Sequence, residues 1–245
     1  MSVIFRKEMC SVSNLTVQND FLTPRSEDEV HRYVILDAPN LMHMTSAKDR
    51  EQGKVSAAGL LAVMRYFFKH DFDVIAISQW KYTREATVSH RFVVDHLEKM
   101  GLIYLAESHT LDDVVALEMA YSTDGVVISN DLFEDHMQFS PRFAHLYDRC
   151  ISMKLDKVKP SERYTKSLDD HYIAEHIFGF QRRRMPSLSS SSVASSLHDV
   201  FFSTPDNPRH EIVQEHRESW TPQYRDRIIS AIDELLTRIG SSEVS

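Results

Sequence analysis

The acidic residues of this chain include a set whose types and spacing suit a metal-dependent active site. A ligand set made only of carboxylate and amide oxygens suits Mg²⁺ or Mn²⁺ rather than zinc. Crowded carboxylates repel one another unless a cation offsets their charge. A hard divalent ion at such a site would promote hydrolysis of a phosphodiester. The set comprises Asp37, Asn40, Asp112, Asp113, Asp131 and Asp135.

Each of these residues also has a structural interpretation. Asp112 and Asp131 are natural helix N-caps, Asp135 is consistent with a solvated helix position, and Asn40 with a capped loop. Asp37 is harder to explain structurally, because it ends the apolar run "YVIL" and a buried strand rarely ends in "DAPN" without a functional reason. The prediction therefore depends on the joint pattern.

Two other phosphate chemistries fit less well. A receiver-type phosphoacceptor domain has paired acids after its first strand, whereas here the pair precedes the fourth strand. A phosphatase with a D-x-D nucleophile is not supported, because Asp37 is followed by Ala38 and Pro39. The six glycines never cluster, so no glycine-rich phosphate loop is present. His43 is the histidine nearest to the predicted acidic site in the sequence. A lone histidine is more often a packing or solvent-exposed residue than a catalytic base.

The elements that must position these residues follow from hydrophobic periodicity. Continuous apolar runs predict strands at 32–36, 73–78, 102–106 and 126–130, with an edge strand at 149–155. Helical spacing predicts helices at 55–70, 89–101 and 112–125 and a short helix at 132–139. Alternating apolar strands and helices predict an α/β fold with a mostly parallel sheet covered on both faces.

In such a sheet, ligands bind at the carboxyl ends of the strands, near the point where the strand order reverses. Asp37 and Asp131 both follow predicted strands. A spacing of four residues would place Asp131 and Asp135 on one helical face. We therefore expect four or five carboxylates at one edge of the sheet.

Composition narrows the class of protein. The chain has 245 residues, 42% hydrophobic and 26% charged, as soluble globular proteins do. No apolar run approaches the roughly 20 residues of a membrane span, and the N-terminus lacks the apolar core of a secretory signal. Cys10 and Cys150 are isolated, which favours a reducing compartment and argues against a zinc or disulfide framework. A net charge of −8 disfavours bulk electrostatic binding of nucleic acid without excluding a metal-mediated contact.

Changes in composition predict the domain organisation. We expect an N-terminal arm (1–30), a catalytic domain (31–160), a flanking segment (161–186), a serine-rich linker (187–203) and a C-terminal extension (204–245). Within the extension, Pro222 and Gly240 bracket a predicted amphipathic helix at 222–239. Its apolar stripe either packs back on the domain or docks on a second copy or another protein.

The segments "VILDAPNLMHM", "ISQWKYTRE" and "LDDVVALEMAYSTDGVVISNDLFED" resemble the NYN branch of PIN-like nucleases, specifically the Regnase-type, zinc-finger-associated ribonuclease domain. The resemblance covers about residues 32–160. It implies a Rossmann-like three-layer sandwich and Mg²⁺-dependent endonucleolytic cleavage of single-stranded RNA, with Mn²⁺ as the alternative ion. It implies that Asp37, Asp113 and Asp131 hold the metal, while Asn40, Asp112 and Asp135 support it or position water.

The chain departs from the family pattern at several positions. Ala38 and Pro39 replace the usual glycine-containing turn, "AESHT" replaces a basic loop, Ala58 replaces an arginine, and no Cys₃His zinc finger follows the domain. The residues expected to bind RNA are Lys48, Arg50, Lys54, Trp80, Lys81 and Arg84. The alternatives are that 48–54 is a solvated charged loop and that Trp80 belongs to the core. The departures motivate a second hypothesis, a catalytically weak module that binds RNA or recruits partners.

The resemblance also bears on cellular context. Some family members without the finger act within small-RNA silencing complexes, so we expect a role in silencing or mRNA decay. The expected location is the cytoplasm, with RNA granules and the nucleus as the alternatives. A homodimer or a decay-complex partner would bind through the C-terminal helix.

Overall fold

The computed structural model of the protein describes residues 20–45, 53–107, 111–131, 133–157, 176–182 and 196–242. Its strands are β1 (Val30–His31), β2 (Val34–Asp37), β3 (Val55–Ser56), β4 (Val74–Gln79), β5 (Val88–Ser89), β6 (Ile103–Ala106), β7 (Val126–Ile128), β8 (Cys150–Lys157), β9 (His176–Arg182) and β10 (Phe202–Ser203). Its helices are α1 (Ala38–Thr45), α2 (Ala58–Lys69), α3 (Arg91–Lys99), α4 (Asp112–Thr123), α5 (Glu134–Phe139), α6 (Leu197–Phe201), α7 (His210–Arg217) and α8 (Pro222–Ser242).

The central sheet has the strand order β6-β4-β2-β7-β8-β9. The first five of these strands are parallel, and β9 pairs with β8 in the antiparallel sense. The chain builds outward from β2 through β4 to β6 and then returns to β7 on the other side of β2. The strand order therefore reverses between β2 and β7, and the predicted α/β architecture is confirmed.

Alternation along β2 explains how both faces of the sheet are covered. Val34 and Leu36 belong to one hydrophobic cluster with α2, α3 and α8, whereas Ile35 belongs to a second cluster with α4. All three side chains are fully buried. A strand that buries both faces has the continuous apolar sequence seen here.

The predicted edge position of the strand at 149–155 is wrong. β8 lies inside the sheet, because it pairs with β7 on one side and with β9 on the other. β9 comes from residues 176–182, so the sheet extends beyond residue 160, where the composition suggested that the catalytic domain ends. Local sequence pattern does not record a pairing between segments that lie far apart in the chain.

The C-terminal helix packs on its own chain. Ile228, Ile232, Leu235, Leu236 and Ile239 are buried in the larger hydrophobic cluster. Arg65 of α2 forms a two-pronged ion pair with Asp233 of α8. The fold-back alternative is confirmed, and the apolar stripe is not available for a partner. The helix also runs beyond the predicted end, to Ser242.

Strand β10, within the predicted serine-rich linker (187–203), and helix α7 of the extension hold the N-terminal side of the fold. β10 pairs with β1, and α7 packs against β1. Asp71, in the turn before β4, accepts hydrogen bonds from Arg217, Trp220 and Arg225. Within the described ranges, no helix is long and apolar enough to cross a membrane.

Candidate active site at the carboxyl edge of the sheet

Asp37 lies at the end of β2, next to the point where the strand order reverses. Its carboxylate is buried, with 8% of the residue exposed. One oxygen accepts a hydrogen bond from the Ser129 hydroxyl and the other from the Asn40 backbone amide at 3.1 Å. Two donors hold the side chain in one orientation, as a preorganised ligand requires.

Asn40 occupies helix α1 and not the predicted loop, since the helix begins directly after Asp37. Pro39 is tolerated there because the first turn of a helix needs no amide donor at that position. The Asn40 side-chain oxygen accepts a hydrogen bond from the Asn130 amide at 3.2 Å. Asn40 therefore joins the end of β2 to the segment after β7 and acts as a positioning residue.

Asp112 and Asp113 begin helix α4, but neither is its N-cap, which is Leu111. The structural interpretation of Asp112 is therefore wrong. Asp112 accepts a hydrogen bond of 2.6 Å from the Gln79 side chain at the end of β4. The carboxylate of Asp113 lies 3.7 Å from the His136 ring nitrogen.

The pKa values show that these carboxylates share one electrostatic environment. Burial raises the pKa of Asp37 from 3.8 to about 6, and the charges of Asp113 and Asp112 add to the rise, while the hydrogen bonds from Ser129 and Asn40 oppose it. Burial also raises the pKa of Asp113, with contributions from Asp112 and Asp131 and opposition from His136. We call Asp37, Asp112, Asp113 and Asp131 the carboxylate rim.

Asp131 and Asp135 do not share a helical face, so that prediction is wrong. Phe133 adopts a left-handed conformation (φ 50°), and α5 begins only at Glu134. Asp131 instead forms a turn in which its carboxylate accepts a hydrogen bond from the Phe133 amide at 3.0 Å. Asp135 is exposed on α5, and His136 is the residue of that helix that reaches Asp113.

Of the residues expected to bind RNA, the structure describes Lys54, Trp80, Lys81 and Arg84. Trp80 is 48% exposed, which rules out the core alternative. Trp80 and Lys81 lie in a 3₁₀ turn directly after β4, and Arg84 is its C-cap. Both cationic side chains are exposed. Lys48 and Arg50 lie outside the described residues, and Lys54 is half-buried before β3.

Tyr82 and His43 form a pair beside the rim that sequence analysis did not identify as a unit. The Tyr82 ring is buried, and its hydroxyl lies 3.1 Å from the exposed His43 ring nitrogen. Burial raises the pKa of Tyr82, and the charges of Asp112 and Asp37 raise it further. Tyr82 therefore lies within electrostatic reach of the rim.

The supporting residues Ser129, Gln79 and His136 were also missed as functional. Ser129 lies in the segment "VVISND" and Gln79 in "ISQWKYTRE". Their position near the end of a predicted strand was the only sequence feature that could have indicated a role in the site. Their roles require that β2 and β7, and β4 and α4, lie side by side.

The donor set fits a hard divalent cation, because every rim residue offers carboxylate oxygen. In the described parts of the chain, His, Cys, Asp and Glu side chains do not gather in groups of three or more around one point. Direct protein ligands would therefore be few, and water would complete the coordination shell, as is usual for Mg²⁺.

A doubly wound sheet with acidic side chains at the point where its strand order reverses is the arrangement of an α/β protein with a binding site at the carboxyl edge of the sheet. The family model described as the Zc3h12a-like ribonuclease NYN domain matches residues 30–174, more than half of the chain. The chain belongs to this family of RNA-cleaving nuclease domains.

Two solved structures of the nuclear protein-only RNase P 2 of Arabidopsis thaliana are similar to this chain. Each is 17% identical, with TM-scores of 0.42 and 0.41. The similarity covers 61% and 60% of this chain but 32% and 31% of the other. The chain thus matches about a third of the length of those structures.

Proposed function

We propose that this protein is a Mg²⁺-dependent endoribonuclease that cleaves single-stranded RNA at the carboxylate rim. The observation that supports this most is the placement of Asp37 and Asp112 at the carboxyl edge of the sheet, where Ser129, the Asn40 amide and Gln79 hold their carboxylates. The raised pKa values of Asp37 and Asp113, to which the neighbouring carboxylates contribute, agree with this placement. A fold gains no stability by holding repelling carboxylates together, so their presence favours a site that a cation completes.

Asp37, Asp113 and Asp131 would hold the ion, directly or through water. A bound Mg²⁺ would polarise a phosphate oxygen and make water a better nucleophile. Ser129 and the Asn40 amide would orient Asp37, and Gln79 would orient Asp112. Asp112 and exposed Asp135 would position the attacking water.

The exposed turn after β4 would bind the substrate. Trp80 offers an aromatic face to an unstacked base, and Lys81 and Arg84 offer positive charge to phosphates. Gln79, the residue before this turn, donates to Asp112, so the turn adjoins the rim. The pathway we propose is mRNA decay or small-RNA silencing.

A circular single-stranded RNA tests both endonuclease activity and metal dependence, because it has no ends. We expect cleavage in Mg²⁺ or Mn²⁺ and none in EDTA. Asp113→Asn should slow cleavage by at least about tenfold, the loss typical of disturbed metal sites. Asp226→Asn, an exposed aspartate of α8, is the matched control. Cleavage that persists in EDTA, or an Asp113→Asn protein as active as the parent, would show that the mechanism is wrong.

The second candidate is the catalytically weak RNA-binding or recruiting module. It is favoured by the absence, within the described ranges, of three gathered metal-ligating side chains. Its signature is RNA binding without turnover, together with no thermal stabilisation by millimolar Mn²⁺.

A further inference from the structure

A cavity of about 420 Å³ lies at the opposite edge of the sheet from the carboxylate rim. Arg32 precedes β2 and Arg149 precedes β8, so both come from the amino ends of parallel strands. Thr204 and Asn207, from the segment after β10, form part of the wall. Glu29 also lines the cavity, and its carboxylate lies 3.3 Å from the ring nitrogen of His198. The cavity therefore joins the nuclease fold to the C-terminal extension, beyond the 30–174 region that the family model matches.

Arg32 is almost completely buried, with 2% of the residue exposed. Its Nε donates to the Phe202 carbonyl at 3.3 Å, and its Nη1 donates to the Asp124 carbonyl at 2.9 Å and pairs with the Asp124 carboxylate. None of these contacts uses its Nη2. A buried guanidinium with a further donor beside a cavity is a ready partner for an anion.

Three guanidinium groups meet at one buried carboxylate beside the cavity. Asp124 is 1% exposed, and its one carboxylate is shared by Arg32, Arg149 and Arg209. Burial lowers the pKa of Arg32 to about 9, and the charges of Arg149 and Arg209 lower it further. Burial and the charge of Arg209 lower the pKa of Arg149 to about 10. An anion near Arg32 and Arg149 would relieve this repulsion.

The mouth of the cavity has the opposite character. Exposed Asp148, Asp199 and Asp206 lie there. Carboxylates repel a chain of phosphates but accept hydrogen bonds from hydroxyl groups. The floor therefore favours a single phosphate, and the mouth favours the hydroxyl-bearing part of the same small molecule.

We propose that this cavity binds a small phosphate monoester of a sugar, with the phosphate on Arg32 and Arg149 and the sugar hydroxyls toward the acidic mouth. Ribose 5-phosphate and ribonucleoside 5′-monophosphates share this chemistry. The site is separate from the carboxylate rim and needs no metal.

Calorimetric titration of the full chain in EDTA tests the proposal without metal-mediated phosphate binding at the rim. The probes are ribose 5-phosphate, adenosine 5′-monophosphate, inorganic phosphate and adenosine. We expect saturable 1:1 binding of at least one ester and none of adenosine. Binding of the nucleotide alone would identify the base as part of the ligand, whereas equal binding of both esters would identify the sugar phosphate. Failure of both esters to bind at millimolar concentration, or equally tight inorganic phosphate, would overturn the proposal.

Two variants locate the binding site. Arg149→Lys keeps a charge near Asp124 but loses the guanidinium fork, and Thr204→Glu adds a negative charge to the wall without altering the arginines. Each should weaken ester binding by about tenfold or more, as loss of a charge-assisted hydrogen bond does. Asp113→Asn is the control and should bind like the parent.

If circular dichroism shows that Arg149→Lys does not fold, the affinity of Thr204→Glu for the esters tests the location of the site. Unchanged affinity in the folded pocket variants, or lost affinity in Asp113→Asn, would place the ligand elsewhere. Because binding is measured without metal or RNA, a failure here is distinguishable from a failure of the nuclease assignment.

Discussion

Replacement of Asp37 by asparagine should make stability depend less on pH. Burial raises the pKa of Asp37 from 3.8 to about 6. A carboxyl whose pKa is higher in the folded state stabilises the fold when protonated, and that contribution is lost as pH rises through about 6. Asparagine approximates the protonated side chain in shape and charge, so the variant avoids the loss.

The magnitude follows from the two pKa values. With the unfolded pKa at 3.8 and the folded pKa at about 6, the shift lowers the free energy of unfolding, relative to its value at low pH, by about 1 kcal/mol at pH 4.5 and by about 3 kcal/mol at pH 7.5. The stability of Asp37→Asn relative to the parent should therefore rise by about 2 kcal/mol between these pH values. The hydrogen bonds from Ser129 and the Asn40 amide favour the ionised form, and this effect is already contained in the pKa of about 6. Any other change that asparagine makes in these hydrogen bonds adds an offset that does not depend on pH.

Urea unfolding at pH 4.5 and 7.5 in EDTA measures this difference. Asp226→Asn, in which a largely exposed aspartate is changed, should show no comparable trend. A difference between Asp37→Asn and the parent that is the same at both pH values would refute the argument from burial. Under the proposed function, Mg²⁺ at pH 7.5 should stabilise the parent more than the variant, because the ion offsets the charge that asparagine lacks.

Two further predictions concern the substrate surface and the C-terminal helix. Lys81→Ala with Arg84→Ala should weaken RNA binding and reduce the slope of log K against log salt by about 1.4, or about 0.7 for each phosphate that the variant no longer neutralises. Lys99→Ala, at the amino edge of the sheet, is the control, and an unchanged slope in filter-binding assays would move the RNA path elsewhere. Ile232→Ala should destabilise the fold by about 2–5 kcal/mol in urea unfolding, because Ile232 is fully buried against the domain. Glu234→Ala, at an exposed position of the same helix, should change the free energy of unfolding little. Equal effects of the two substitutions would contradict the packing of α8 on its own chain.

Much of the fold follows from local sequence. β2 and β7 are continuous apolar runs, and α2 has a helical apolar period, so their types and order could be predicted. The aspartates at strand and helix ends were visible for the same reason, because a charge next to an apolar run is a local contrast. Parallel strands align their carboxyl ends, so the placement of Asp37, Asp112 and Asp113 at one edge of the sheet could be predicted. Their approach to one another depends on the packing of α4 across β2 and β4.

The tertiary structure decided what depends on distant pairings and on single backbone angles. Ser129 meets Asp37 only because β2 and β7 are neighbours, although 92 positions separate them in the chain. The left-handed conformation of Phe133 removes Asp131 from the helix of Asp135, and no periodicity reports such a turn.

The same holds for the opposite edge of the sheet and for the extension. Arg32, Asp124 and Arg149 stand far apart in the sequence, each before a different strand, and Arg209 reaches them from beyond the family domain. The apolar stripe of α8 was predictable from the helical spacing of its apolar residues. The surface that covers this stripe was not predictable, because an apolar stripe indicates that the helix is buried but not what it packs against. Packing against α2, including the Arg65–Asp233 pair, settled that the helix folds back on its own chain.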